Sequence, residues 1–172
     1  MASQFTSRDE FDCDEATVWH KCTFSEEFSK RLYMDVLKFP GWKLLEQKEE
    51  GGILTRRVHI DPPLVGLPGP VVKVVGDRFS YVEEGRFDEK AKRYTFTVKP
   101  STAADKAKTT GELWTEKLGE NRCVRYAKVD VEVKMFVVGG LLEEKILSDL
   151  KKSYQETARF IGQYLKETNA AK

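Results

Sequence analysis

The sequence contains no long apolar run. Residues 1–15, MASQFTSRDEFDCDE, carry acidic side chains where a secretory signal would carry an apolar segment. A helix that crosses a bilayer needs about 20 consecutive apolar residues, and no such stretch occurs. These two absences predict a soluble, cytoplasmic protein.

Cysteine and histidine are scarce. Cys13, Cys22 and Cys123 lack the CxxC spacing of a zinc site, and their odd number does not fit a disulfide framework. His20 and His59 fall on different predicted strands, and neither has a cysteine or acid at a spacing that defines a metal site or a triad. His20 is predicted to be a packed core residue. We therefore expect reduced thiols, no metal and no cofactor.

An excess of one charge sign is also missing. Lys and Arg number 29 and Asp and Glu number 28, so the net charge is +1. A dedicated nucleic-acid binder commonly carries a strong basic excess. Glycine-rich phosphate loops are absent as well. The composition therefore argues against a nucleic-acid partner.

A strand followed by a long one-sided helix occupies residues 129–165. Val129, Val131 and Val133 alternate with charged residues, which is the period of a half-buried strand. Gly139 and Gly140 are predicted to break this strand. Apolar residues then recur at helical spacing for about 28 residues, or roughly 40 Å of helix. A helix of this length needs a broad apolar partner surface.

The rest of the chain predicts that partner surface. Residues 1–14 are predicted to form a mobile tail and residues 15–168 a single domain. Residues 15–24 are predicted to be the first strand, and a short helical zone follows from Ser25. Six more strands are predicted at 41–50, 53–61, 78–87, 92–99, 108–118 and 122–135. The predicted fold class is α+β, a helix-grip fold in which a seven-stranded antiparallel sheet wraps around a long C-terminal helix, with short helices between strands 1 and 2.

This order of elements resembles the START-like superfamily, which includes START lipid-transfer domains, birch-pollen-allergen-like proteins and polyketide cyclases. The motifs LPGPVVKVVGDRFSYVEEGRFD (67–88) and VEVKMFVVGGLLEEKI (131–146) are most similar to a largely bacterial START-like family of unknown function. The first motif is also similar to PRELI-type phospholipid-transfer domains. The resemblance implies a hydrophobic ligand cavity between sheet and helix. It implies no particular ligand and no catalytic residues, because that family has none established.

The predicted ligand chamber has one wall from the C-terminal helix and one from the sheet. Its predicted wall residues are Tyr81, Val129, Val131, Val133, Leu142, Ile146, Leu150 and Tyr154. Gly139 and Gly140 are predicted to act as a hinge for the helical wall.

Two arginines fall in phase with core positions of their strands. A buried charge must be paired, solvated or placed at a cavity mouth. One interpretation is that Arg56 pairs with Glu83 while Arg125 lies in water at a strand end. The other is that one or both bind the phosphate or carboxylate of a ligand.

The segment DPPLVGLPGPVVKVVG, residues 61–76, is a second candidate functional element. Leu64, Val65 and Leu67 are apolar in what should be a loop. They are predicted either to plug the end of the core or to form a lid that contacts a membrane, with Lys73 and Arg78 near anionic headgroups.

Three kinds of function fit these patterns. The favoured one is a monomeric carrier that binds, and transfers, a lipid or other hydrophobic small molecule with transient membrane contact. An enzyme on the same fold would need an acid or base in the cavity, for which His20, Tyr81, Glu83 and Glu112 are the candidates, but no catalytic set stands out. A protein-interaction module would use the polar helix face or the outer sheet. We therefore expect a carrier and not an enzyme.

Overall fold

The computed structural model of the protein describes residues 2–170. The strands are β1 (Ser3–Phe11), β2 (Gly41–Glu50), β3 (Ile53–Asp61), β4 (Tyr81–Asp88), β5 (Arg93–Pro100), β6 (Ala107–Gly119) and β7 (Arg122–Val133). The helices are α1 (Glu26–Lys30), α2 (Gly69–Val75) and α3 (Gly139–Ala170). Two helical segments with wider, π-type turns flank α1, at Thr17–Thr23 and Arg31–Val36.

The strands form one antiparallel sheet in the order β1-β7-β6-β5-β4-β3-β2. Strands β2 to β7 are a meander, because each pairs with the next along the chain. β1 pairs with the last strand, β7, at one edge of the sheet, and Phe5 lies opposite Val129. The inner face of this sheet packs on α3. The predicted α+β helix-grip fold is therefore confirmed.

The predicted mobile tail is wrong, since residues 3–11 form the edge strand β1. Its inward positions include Ser3, Ser7 and Asp9, which hide the apolar alternation that would have indicated a strand. Pairing with β7 along the whole of β1 stabilises this strand.

The predicted first strand at residues 15–24 is also wrong, because Thr17–Thr23 is helical. The Thr17 main-chain N–H donates to Asp14 Oδ1 at 2.8 Å, a capping contact that favours a helix start. Val18, Trp19 and Cys22 are buried, which follows the spacing of a helix rather than of a strand. The seven strands are thus complete only when β1 replaces this segment.

Helix α3 has 32 residues and is about 48 Å long. Its C-terminal half buries Phe160, Ile161, Tyr164 and Leu165 against the segments that follow β1. No helix within residues 2–170 combines the length and the apolarity that crossing a bilayer requires.

Gly139 and Gly140 were predicted to break the last strand, but β7 already ends at Val133. The two glycines are instead the first residues of α3. A Cβ atom at Gly139 would lie 2.6 Å from the Val133 carbonyl oxygen, so this position requires glycine for close packing. The predicted hinge role of Gly139 and Gly140 stays a prediction.

Two glycines on the inner face of the sheet accommodate aromatic rings from the neighbouring strand. A Cβ atom at Gly85 would collide with the Tyr94 side chain, and one at Gly111 would collide with Phe96. Each ring therefore lies flat on the neighbouring strand where that strand has no side chain. This packing fixes the position of Tyr94 in the interior.

Candidate ligand-binding site

The two halves of helix α3 pack on different parts of the molecule and are buried to different extents. In the C-terminal half, Phe160 and Ile161 are at most 3% exposed. In the N-terminal half the residues packed against the sheet remain only half-buried, and these are Leu142, Ile146, Leu147, Leu150 and Tyr154. Helix α3 is therefore closely packed in its C-terminal half and less closely packed where it faces the sheet, at the predicted chamber.

The sheet wall of this chamber is apolar on β7. Val129 and Val131 are fully buried and Val133 is 6% exposed, all in the same cluster as the N-terminal half of α3. The sequence-based prediction therefore placed all three valines on the inner face of the sheet, where the structure has them.

The carboxyl group of Glu83 lies on the inner face of β4. The Tyr94 hydroxyl donates a hydrogen bond to Glu83 Oε2 at 3.1 Å. Burial raises the pKa of Glu83, although the positive charge of Arg56 and the hydrogen bond from Tyr94 oppose this effect. The neutral acid is therefore favoured more than in an exposed glutamate.

Three further tyrosines, Tyr33, Tyr81 and Tyr154, lie around this carboxyl. The charge of Glu83 acts on all three and, with burial as the larger cause, raises the pKa of each phenol. Within residues 2–170 the bond from Tyr94 to Glu83 is the one hydrogen bond that involves a hydroxyl of these four tyrosines. We call Glu83 and these four tyrosines, Tyr94 included, the tyrosine cluster.

Arg56 is buried beside the tyrosine cluster; both of its Nη atoms are bound to protein, whereas its Nε has no hydrogen-bond partner within the described residues. Nη1 donates to the Thr23 carbonyl oxygen at 2.7 Å and Nη2 donates to Ser29 Oγ at 3.1 Å. The guanidinium carbon lies 5.7 Å from the ring centres of both Phe24 and Trp42. The predicted ion pair with Glu83 does not form within the described residues, so Arg56 acts on Glu83 through its charge alone.

Arg125 is 3% exposed, so its predicted position in water at a strand end is wrong. It lies opposite Asp9 in the β1–β7 pairing, and its Nη2 is 3.5 Å from Asp9 Oδ2. The rings of Phe11 and Tyr154 lie 5.4 and 5.6 Å from the guanidinium carbon. The prediction missed Asp9 as the counter-charge, because β1 was not recognised as a strand.

The segment predicted as plug or lid contains α2. Leu64 and Leu67 are half-buried and pack on Val71, Val75 and Val138, as the plug interpretation expects. Among these loop residues Val65 is 77% exposed, and Lys73 and Arg78 are exposed too. This apolar cluster lies next to the predicted chamber, with exposed residues on its outer side.

The other proposed acids and bases lie outside the chamber. His20 is exposed and its Nε2 is 2.8 Å from Glu89 Oε2, so its predicted core position is wrong. Glu112 accepts a hydrogen bond from Arg93 Nη1 at 2.6 Å on the outer face. Of the four candidates only Tyr81 and Glu83 belong to the tyrosine cluster. Within residues 2–170 no group of three or more His, Cys, Asp or Glu side chains is arranged to hold a metal ion.

The three cysteines lie in one buried cluster near the C-terminal half of α3. A hydrogen bond from the Cys123 thiol lowers the pKa of Cys13. Burial raises the pKa of Cys22 to about 12. Cys123 is about 100 residues away from the other two thiols in the sequence, and the fold brings it to them.

Two surface grooves lie away from the chamber. One, of about 660 Å³, crosses the outer face of the sheet and includes Thr95, Thr97 and Thr110. The other, of about 800 Å³, includes Cys13, His20 and Tyr164. The N-terminal half of α3 lines neither of them.

Comparison with known proteins identifies both a sequence family and a fold. The sequence model of a family described as "Protein of unknown function (DUF2505)" matches residues 6–165. No curated protein matches the chain.

Solved structures share the fold at low sequence identity. ZhuI aromatase/cyclase from Streptomyces sp. R1128 has a TM-score of 0.64 and 12% identity, with 96% of this chain and 94% of that chain covered. Norcoclaurine synthase from Thalictrum flavum, solved with dopamine and hydroxybenzaldehyde, has a TM-score of 0.62 and 15% identity, with coverages of 97% and 88%. A protein from Thermus thermophilus has a TM-score of 0.62 and 13% identity, with coverages of 96% and 99%. These likenesses establish the START-like, birch-pollen-allergen-like fold, and at this identity they establish nothing more.

Proposed function

We infer that this protein, which belongs to the DUF2505 family, binds a hydrophobic small molecule between the inner face of the sheet and the N-terminal half of α3. The observation that carries the inference is the change in burial along α3. Inward residues are closely packed around Phe160 and only half-buried around Ile146 and Leu150. A ligand in that space would complete the burial of these side chains, which favours its binding.

The tyrosine cluster defines the polar end of the proposed ligand. Within residues 2–170 the hydroxyls of Tyr33, Tyr81 and Tyr154 make no hydrogen bond to another side chain, so each could donate to a ligand oxygen or accept from a ligand hydroxyl. Glu83 disfavours a ligand anion, and the Nη atoms of Arg56 are already bound to Thr23 and Ser29. We therefore propose an uncharged head that carries a hydroxyl or carbonyl group.

A lipid with an uncharged head fits this chemistry, and so does a small phenol. The fold shared with norcoclaurine synthase, which was solved with dopamine and hydroxybenzaldehyde, supports a phenolic ligand. We propose a carrier that binds its ligand and releases it unchanged, and transfer between membranes is the further step of this proposal. A protein-interaction module is less supported, because it has no need of half-buried residues in the interior.

A three-compound titration tests the proposal. Naphthalene, 2-naphthol and 2-naphthoate share one ring system and differ only in the head, which is absent, neutral or anionic. We expect 2-naphthol to bind most tightly and 2-naphthoate at least about tenfold more weakly, since its charge would be buried beside Glu83. Equal or tighter binding of 2-naphthoate would contradict the proposed head chemistry.

Matched tyrosine variants locate the site of binding. Tyr81→Phe removes a hydroxyl of the tyrosine cluster, whereas Tyr126→Phe removes one from a tyrosine that stacks on Trp114. We expect Tyr81→Phe to weaken 2-naphthol binding by about three- to tenfold and to leave naphthalene binding unchanged. Tyr126→Phe should change neither affinity.

A second candidate function is acid–base catalysis, which the Glu83–Tyr94 contact favours. A carboxyl with a raised pKa can hold a proton for transfer to a bound carbonyl oxygen. Native mass spectrometry distinguishes enzyme from carrier if wild type and Glu83→Gln are purified from the same host. A carrier should retain a ligand of the same mass in both proteins, whereas an enzyme should retain unconverted substrate in Glu83→Gln alone.

A further inference from the structure

Five apolar side chains are exposed at the end of the molecule where β7 leads into α3. Phe136 is 97% exposed and Val137 72% in the connection, and Leu141 in the first turn of α3 is 39% exposed. Val65 is 77% exposed in the loop before α2, and Val72 on α2 is 46% exposed. We call these five side chains the apolar tip. Large apolar residues exposed together at one end commonly mark a binding surface.

The segments that carry the apolar tip are joined beneath it. Val71 and Val75 of α2 pack with Val138 in one buried cluster, and Leu64 and Leu67 pack on the same cluster. The loop before α2 and the connection after β7 therefore form one unit, although about 70 residues separate them in the sequence. The exposed side chains of the apolar tip are therefore attached to a buried, packed cluster.

The backbone of the connection forms a strained turn. The Val138 N–H donates to the Phe136 carbonyl oxygen at 2.9 Å, which closes a three-residue turn around Val137. Val137 has a φ of 72°, a conformation that is costly for a β-branched residue. Strain of this kind persists only where surrounding packing maintains it, and it is concentrated at functional positions. Here it leaves Phe136 and Val137 exposed at the outer end of the turn.

We propose that the apolar tip docks on a lipid surface by inserting Phe136, Val137 and Val65 among the lipids. The tip exposes on the order of 500 Å² of apolar surface, which is less than the roughly 800 Å² per partner that a stable protein interface buries. It also consists of separate side chains on two stretches of the chain, residues 65–72 and 136–141, rather than of one continuous face. A lipid surface accepts such isolated side chains, whereas a protein partner would need a pocket for each.

The charges around the tip do not select an anionic membrane. Lys73, Arg78 and Lys134 are exposed on the tip segments, but Asp77 and Glu144 are exposed there as well. Attraction to anionic lipid is therefore nearly cancelled. Binding to vesicles of uncharged phosphatidylcholine is the expected behaviour.

The tip is continuous with the proposed chamber, because Met135 and Leu142 pack both on the cluster beneath the tip and on the cluster that lines the chamber. Docking would bring the end of the chamber to the lipid surface. The role of docking in ligand exchange rests on the proposed function, whereas docking itself does not.

Sedimentation of the full chain with sucrose-loaded phosphatidylcholine vesicles tests the proposal. The test variant is Phe136→Asp combined with Val65→Asp, and the control is Leu118→Asp, since Leu118 is 46% exposed on β6 near its turn to β7. We expect the test variant to lose at least about tenfold in vesicle partitioning and the control to match wild type. Substitution at such exposed positions should leave the melting temperature unchanged.

Three outcomes would overturn the docking proposal. They are absence of wild-type sedimentation, equal sedimentation of the test variant, and a vesicle-independent dimer that the Asp substitutions dissociate. The 2-naphthol affinity of each protein is measured in parallel. If wild type sediments with vesicles but does not bind 2-naphthol, the chamber proposal fails and the docking proposal stands.

Discussion

The Tyr94 hydroxyl lies 3.1 Å from Glu83 Oε2, in the interior of the protein. Both residues are on the inner face of the sheet, and the Tyr94 ring occupies the space that the absent side chain of Gly85 leaves. The pKa of this carboxyl is raised, and its charge acts on the three further tyrosines of the cluster. The proposed polar end of the ligand site depends on it.

Glu83→Gln should make the protein more stable at neutral pH. The pKa of Glu83 is raised in the folded state, so the folded protein binds more protons than the unfolded chain between the two pKa values. Stability therefore falls as pH rises from the unfolded pKa, about 4.5, through the folded pKa. We expect the melting temperatures of wild type and Glu83→Gln to diverge in favour of the variant between pH 4 and pH 8. A constant difference across this range would contradict the assignment of Glu83 as a carboxyl that is costly to ionise.

Arg56→Met should destabilise the fold without changing ligand discrimination. The substitution removes the donors to the Thr23 carbonyl and to Ser29 Oγ, at a cost of about 2–3 kcal/mol in the free energy of unfolding. Arg57→Met is the matched control, because Arg57 is exposed on the same strand and pairs with Glu84 at 3.4 Å. Urea unfolding measures both variants, and the control should change by less than about 1 kcal/mol. Loss of 2-naphthoate binding in Arg56→Met alone would instead support an anionic headgroup at Arg56.

Gly85→Ala should disrupt the tyrosine cluster by displacing the Tyr94 ring. The new methyl group collides with the Tyr94 ring, so the ring must shift away from Glu83, at a cost of about 1–3 kcal/mol. Losing the Tyr94 hydrogen bond should raise the pKa of Glu83 further, which carboxyl-carbon NMR titration detects. Gly162→Ala is the control, because nothing lies within 4 Å of a Cβ at that position in α3 and alanine favours helix. An unshifted Glu83 titration in Gly85→Ala would show that the ring does not depend on this glycine.

Cys13 should react with a disulfide reagent well before the other thiols. The hydrogen bond from Cys123 lowers the pKa of Cys13, whereas Cys22, with a pKa of about 12, is almost entirely protonated at pH 7. Cys13 is also 9% exposed, and Cys22 and Cys123 are not exposed at all. Dithionitrobenzoate releases coloured thionitrobenzoate when it reacts with a protein thiol. We expect Cys13→Ser to remove the fast phase of this release and Cys22→Ser to preserve it. A fast phase that survives in Cys13→Ser would contradict this order.

The inner face of the sheet could be predicted from the sequence because strand alternation is regular there. The phases of β3, β4, β5 and β7 place Arg56, Tyr81 and Val129 inside, as predicted. β1 was missed because Ser and Asp occupy its inward positions, and only pairing with β7 makes a strand of it.

The proposed ligand site was predicted less completely than the sheet. Tyr81 and Tyr154 follow from strand and helix periodicity, but their approach to Tyr33 and Tyr94 depends on how the segments pack. The Arg125–Asp9 contact depends in the same way on the register of a strand that was not predicted. Contacts between segments distant in sequence carry no local signal, and the polar end of the site consists almost entirely of them.

The most direct test of the ligand chamber is the location of bound 2-naphthol by nuclear Overhauser effects. We expect contacts from the naphthol ring protons to the methyl groups of Ile146 and Leu150 and to the ring of Tyr81. Contacts to Thr95 and Thr97, which line the groove on the outer face of the sheet, would contradict the account.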